Sequence, residues 1–278
     1  MKQIIAKNAR LWMLLPVIFS LSLACEIEDG PDFGRVGDDV RFSGWEWYVK
    51  SSPSLQGPGP NLFSDRPEDI FIDGNGYLHM RIAEYNGSWY STEVVSYDTV
   101  GYGEYTWVVS GDYENIPENI VVGLFTWNTE SFAEEANSEV DIEFAKWNNP
   151  DAKTLHTSVQ PVNFSDIYHA YRTHEHDTDP GDLVGVTTHQ FIWTDSLITW
   201  RSWKGNGTGG QEIAFWEFSD TNRAVPKVEN GLASRPIVIP APLNNTNVRM
   251  NFWMLGGIPP SDGQIQELVI RNFDYVPY

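Results

Sequence analysis

The chain has 278 residues, with 38 acidic against 18 basic side chains and a formal net charge of −20. Such a charge repels nucleic acid and anionic membrane surfaces, which excludes nucleic-acid binding, and it makes a polyanionic polysaccharide a poor partner unless a local basic patch overrides it. The single cysteine, Cys25, excludes internal disulfides and Cys-based zinc sites.

At the N-terminus, Lys2, Lys7 and Arg10 precede an apolar run from Leu11 to Ala24 that ends Ser-Leu-Ala-Cys. A basic start, a run too short to span a bilayer and a small residue at the cut describe a signal segment, here 1–24. It resembles a bacterial lipoprotein signal, with Cys25 as the lipidated first residue, although Ser22 stands where Leu is usual. Ordinary secretion with cleavage near Ala24 is the alternative. Either route places the protein outside the cytoplasm, with membrane attachment only through an N-terminal lipid. Residues 25–40 are acidic and glycine-rich and read as a tether. A single domain is expected over 41–278.

Phe42 to Val49 reads as a first strand rich in Trp. Residues 51–61 carry Pro and Gly too densely for a strand and read as a loop. Ile70 to Ile72 and Tyr77 to Ile82 form a hairpin around Asp73-Gly74-Asn75-Gly76. Strands are expected near 89–96, 103–110, 119–127 and 138–145, then near 153–160, 188–194, 196–203, 211–218, 247–254 and 264–275, the last with a bulge. About a dozen short strands and no long helical period outside the N-terminus describe one all-β sandwich or barrel. Aromatics make up 14% of the chain, with 12 Trp, more than such a core needs.

The informative stretch is 137–147, Asn-Ser-Glu-Val-Asp-Ile-Glu-Phe-Ala-Lys-Trp. On a strand, alternate residues share a face. Glu139, Asp141 and Glu143 then point one way, and Val140, Ile142 and Phe144 the other. Neighbouring carboxylates 6–7 Å apart repel by about 2–3 kcal/mol before screening. Such a row is costly, and carboxylates with unlike pKa values are the usual reason for one. Taken alone, the row reads equally well as the solvated face of an edge strand. Trp127 before it and Trp147 after it favour a sugar-cleaving cleft, where aromatic platforms surround carboxylates.

Other motifs carry less. Gly205-Asn206-Gly207-Thr208-Gly209-Gly210 matches G-x-G-x-x-G, but an aromatic strand pattern follows instead of a helix, so it reads as a hairpin loop. His174-Glu175-His176 has metal-like spacing without a third ligand nearby and reads as a surface loop. No G-x-S-x-G elbow is present.

Glu139-Val140-Asp141-Ile142-Glu143-Phe144 resembles the E-x-D-x-E catalytic strand of glycoside hydrolase family 16. Tyr102-Gly103-Glu104-Tyr105 is similar to that family's YGxY strand. Phe191-Ile192-Trp193 through Ile198-Thr199-Trp200 resembles its F-x-W and I-x-W hairpin. Met250-Asn251-Phe252-Trp253 resembles its MN-x-W strand, and Phe273-Asp274-Tyr275-Val276 its closing strand. The resemblance runs in order from about 42 to 278.

It implies a concanavalin-like β-jelly roll of two antiparallel sheets with a polysaccharide or oligosaccharide across the concave face. It implies retaining endo-β-glycosidase chemistry on a β-glucan or galactan type of chain. Glu139 would be the nucleophile, Glu143 the general acid/base and Asp141 their helper. The uninterrupted row is nearer to lichenases, xyloglucan enzymes and carrageenases than to laminarinase-like members. Asn61, Glu93, His156, Ser158 and Trp253 correspond to substrate-binding positions, with Trp127 and Trp147 as further platforms. His156 and Ser158 stand where lichenases present Gln and Asn, which argues against lichenase specificity. Asp274 resembles an aspartate that can hold a structural calcium, but it reads equally well as an exposed Asp near a strand end. No cofactor is required, and a monomer is expected. A transglycosylase of the same chemistry and a non-catalytic carbohydrate-binding jelly roll are the alternatives.

Overall fold

The computed structural model describes residues 39–129, 138–160, 172–219, 228–229, 232–233 and 239–278. The expected signal segment, Cys25 and most of the expected tether lie outside them.

In chain order the strands begin β1 (Val40–Phe42), β2 (Trp45–Val49), β3 (Ser52–Gln56), β4 (Asn61–Phe63), β5 (Ile70–Ile72) and β6 (Leu78–Tyr85). They continue β7 (Ser88–Thr99), β8 (Gly103–Asp112), β9 (Ile120–Trp127), β10 (Val140–Ala145), β11 (Leu155–Val159) and β12 (Thr173–Glu175). Then come β13 (Val184–Trp193), β14 (Leu197–Lys204), β15 (Glu212–Ser219), β16 (Val228–Glu229), β17 (Leu232–Ala233), β18 (Asn247–Met254) and β19 (Gln266–Pro277).

Two antiparallel sheets account for most of them. One runs β1-β2-β7-β18-β9-β10-β11-β12. The other runs β5-β6-β19-β8-β13-β14-β15. The β6–β7 hairpin passes from one sheet to the other, and β4 lies parallel to the start of β7. This is the two-sheet sandwich expected of the strand pattern.

Alternation explains how the sheets meet. Val140, Ile142 and Phe144 are buried in the core between them. Phe144 stacks on Tyr113 and meets the edge of His189. Trp47, Trp107, Trp193 and Trp200 are fully buried there as well. The Trp200 indole crosses the core and donates to the Asp141 carbonyl at 3.0 Å, tying the acidic strand to the opposite sheet.

Three segments differ from expectation. The single strand expected over 42–49 is the hairpin β1–β2, turned by Ser43 and Gly44, both with positive φ. A two-residue turn of that kind suits the strand twist. The loop expected over 51–61 contains β3 and β4; Pro53 is tolerated because β3 pairs only through its ends, Ser52 and Gln56. His174 and Glu175, expected in a loop, belong to β12 on the edge of the first sheet, and His176 is buried just after it. The Gly-rich stretch 205–210 does join two strands, β14 and β15, and the bulge expected in the last strand falls between Ile270 and Asn272.

Candidate active site

Strand register arranges the face of the first sheet that carries the acids as a grid. Across it, Ser158, Asp141, Phe125, Arg249 and Val95 form one line. The next line holds His156, Glu143, Gly123, Asn251 and Glu93, and the Lys50 backbone amide pairs with Glu93 beyond them. Glu139 lies just before β10, its carbonyl still accepting from the Gln160 amide, on the side of Trp127 and Asn247.

A cavity of about 440 Å³ opens on this grid. Glu139, Asp141 and Glu143 line it together, with Trp127, Trp147 and Trp253 around them. Gly123 leaves its floor at backbone level: a Cβ there would come within 2.4 Å of Asn251 Oδ1. The Trp147 and Trp253 rings meet edge to face, 6.4 Å between centroids.

Burial governs the acids. It raises the Glu139 carboxyl well above the usual carboxylate range, with the charges of Asp141 and Glu143 adding to it and that of Arg249 opposing. Burial, and then Asp141, raises Glu143 likewise. Burial also pushes Asp141 up, to about 6, against hydrogen bonds from Ser158 and Gln160 that stabilise its ionised form. The three sites sit close enough to titrate as one set.

Glu93 lines the cavity as expected, but both of its oxygens are engaged. Lys50 Nζ lies 3.0 Å from Oε2, and Arg249 Nη1 lies 3.1 Å from Oε1. Three other expected sugar contacts do not line the cavity. Asn61 is buried, and its amide donates to the Pro58 and Met254 carbonyls, fixing the Gly57–Pro58 wall. His156 turns Nε2 to the Ala145 and Lys153 carbonyls. Ser158 spends its hydroxyl on Asp141.

Sequence reasoning passed over Lys50, Phe125, Gly123, Gln160 and Arg249 as cavity residues. Arg249 and Asn251 share the strand parity of Trp253, so the parity of the MN-x-W strand could have found them. Asp274 is exposed on β19, and among the described residues no group of three or more His, Cys, Asp or Glu could hold a metal ion.

No protein-family model matches the chain, and no curated protein matches it in sequence. Solved structures do match its fold. A Bacillus licheniformis beta-glucanase is similar at a TM-score of 0.52 and 14% identity, over 88% of this chain and 100% of that one. A beta-1,3-1,4-glucanase (lichenase) derived from a mouse hindgut metagenome is similar at 0.55 and 17%, over 87% and 98%. A glycosyl hydrolase family protein from Mycobacterium fortuitum is similar at 0.55 and 15%, over 86% and 94%. At these identities the likeness is one of fold, and that fold is the jelly roll that the resemblance implied.

Proposed function

We propose that the chain is a retaining glycoside hydrolase that cuts within a β-linked polysaccharide, of β-glucan or galactan type, by double displacement. The observation that carries this reading is the row Glu139, Asp141 and Glu143 on the floor of a cavity walled by Trp127, Trp147 and Trp253. A binding protein gains nothing from three crowded, mutually repelling carboxyls, whereas a glycosidase needs one ionised and one protonated. The fold shared with beta-glucanases and the lichenase supports the same reading.

In the first step a Glu139 oxygen attacks the anomeric carbon while Glu143 gives its proton to the leaving oxygen. In the second, Glu143 takes a proton from water, which attacks the same carbon and frees Glu139. Retention requires carboxyls about 5–5.5 Å apart. Cα atoms four apart on a flat strand are roughly 13 Å apart, so the two side chains must lean towards each other. Asp141 lies between them, its Oδ2 held by Ser158 and Gln160.

The run ending at Cys25 supports an extracytoplasmic setting, and mass spectrometry of the mature N-terminus tests it. The activity is tested with a panel of β-glucans, galactans and xyloglucan, scored by reducing ends, product length and transfer to added oligosaccharide. Cleavage of a member of the panel that Glu139→Ala abolishes is the expected result. No cleavage of any of them, with oligosaccharide still bound, would favour the binding-protein alternative.

A further inference from the structure

Among the cavity residues, the arrangement of Arg249 is not explained by sugar binding. The described contacts aim its guanidinium across the grid. Nη1 is 3.1 Å from Glu93, on the Glu143 line. Nε donates to Asn247 Oδ1 at 3.0 Å, and the guanidinium carbon lies 5.3 Å above the Trp127 ring, both on the Glu139 side. The side chain is 9% exposed, and Lys50 holds the far oxygen of Glu93.

Two cations and one anion therefore sit beside three carboxyls in one cavity. A cation held in such a cavity favours the ionised form of a neighbouring carboxyl. Beside Glu139 lie Asp141 and Glu143 from its own strand, Arg249 from β18 and Glu93 from β7, while Lys50, just after β2, and Gln160, just after β11, line the same cavity. Arg249 is the cation of the first group.

We propose that Arg249, braced by Asn247, Trp127 and the Lys50–Glu93 pair, is the counter-ion of Glu139, a positioning residue that lets one carboxylate of the row ionise and directs that charge to the nucleophile. The proposal rests on the reading of Glu139 as nucleophile only for its catalytic consequence; the placement of Arg249 beside Glu139 stands without it. Arg249 also acts against burial and against the repulsion from Asp141 and Glu143, which otherwise hold the proton on Glu139. Glu93 then serves the site by holding a cation in place.

The test is a substrate-free titration. In protein labelled with carbon-13 at the glutamate carboxyls, the Glu139 signal is assigned by its absence in Glu139→Gln. Arg249→Met should move its ionisation up by about one pH unit or more, while Arg249→Lys should keep it within about half a unit of wild type. Asn247→Asp fits the same space and sets an anion against the guanidinium; it should move the midpoint upwards too, and it carries the test if Arg249→Met does not fold. An unmoved Glu139 midpoint in either charge-altering variant would overturn the proposal. Where the wild type cleaves a polysaccharide, the acid limb of kcat/KM should follow the midpoint, and a uniform fall in rate without movement of the limb would also overturn it. Titration as expected in a chain that cleaves nothing would leave the counter-ion in place and remove only the hydrolase reading.

Discussion

Ser158 Oγ donates to Asp141 Oδ2 at 2.5 Å, and both side chains are buried. This hydroxyl, with Gln160 at 3.2 Å, stabilises the ionised form of Asp141 against burial. Ser158→Ala should raise the Asp141 value above about 6, because burial then acts with one fewer hydrogen bond against it. The acid limb of the pH–rate profile should move upwards, with kcat at its plateau reduced less than by Asp141→Asn. A profile superimposable on wild type would exclude Ser158 from the titrating set.

The platforms should separate by what else they touch. Trp147 and Trp253 meet each other at the cavity wall, whereas Trp127 lies beneath the Arg249 guanidinium. Trp253→Ala should raise KM on long oligosaccharides more than on short ones and leave the pH profile alone. Trp127→Ala should raise KM and also shift the acid limb. Wild-type KM in both would mean that the chain of sugars lies elsewhere.

Gly123 stands between Glu143 and Asn251 on the grid, and an added Cβ would strike Asn251 Oδ1. Displacing such a group by about 1 Å can cost on the order of 100-fold in rate. Gly123→Ala should therefore lower kcat/KM by roughly that amount. The fold should survive, because the atom struck is the end of a side chain. Measured thermal stability close to wild type together with the lost rate would confirm that the floor must be bare.

Much of this was legible in local sequence and some was not. The alternation of Val140, Ile142 and Phe144 with the three acids gave the strand, its inward face and its outward face. The run of short strands gave a sandwich or barrel, and the five matching segments implied the jelly roll. What failed was information carried by register. Lys50 meets Glu93, and Glu93 meets Arg249, only because β2, β7 and β18 are neighbours in one sheet, and no local pattern states that. The Ser43–Gly44 turn was masked by the Trp-rich run around it. Ser158 and His156 were placed at the correct strand positions, but their partners, a carboxylate and two backbone carbonyls, depend on geometry beyond the strand.

Stability should depend on pH in two opposed ways. Glu143 has a folded value raised above the ordinary 4.5, so it keeps a proton that the unfolded chain has lost, and stability falls as pH rises above about 4.5. His176 and His189 are lowered by burial from 6.5 to about 3. They are neutral when folded, so stability falls as pH drops through that window. Each unit in which one acid holds its proton costs about 1.4 kcal/mol, roughly 3–5 °C in Tm for a domain of this size. Glu143→Gln should raise Tm at pH 7–8 and change it little at pH 4, where both states are protonated. An equal effect at both pH values would show that the carboxyl is not held protonated by the fold.

The division of labour between the two glutamates is open to a stereochemical test. On the proposed reading, Glu139→Ala removes the attacking carboxylate and leaves a space beside the anomeric carbon. Azide entering that space should restore turnover and give the α-glycosyl azide, by one displacement. Glu143→Ala keeps the nucleophile and removes the proton donor. It should be slow on unactivated chains yet form the glycosyl-enzyme quickly from an aryl glycoside whose leaving group needs no proton. Azide then attacks the covalent intermediate, and two displacements give the β-glycosyl azide. On the proposed reading the proton belongs to Glu143 and the charge to Glu139, beside which Arg249 lies. The wild-type profile should accordingly be bell-shaped, its alkaline limb belonging to Glu143 and lost with an aryl glycoside of that kind. Configurations of the two azides opposite to these would exchange the roles, and full activity in both variants would remove the row from catalysis.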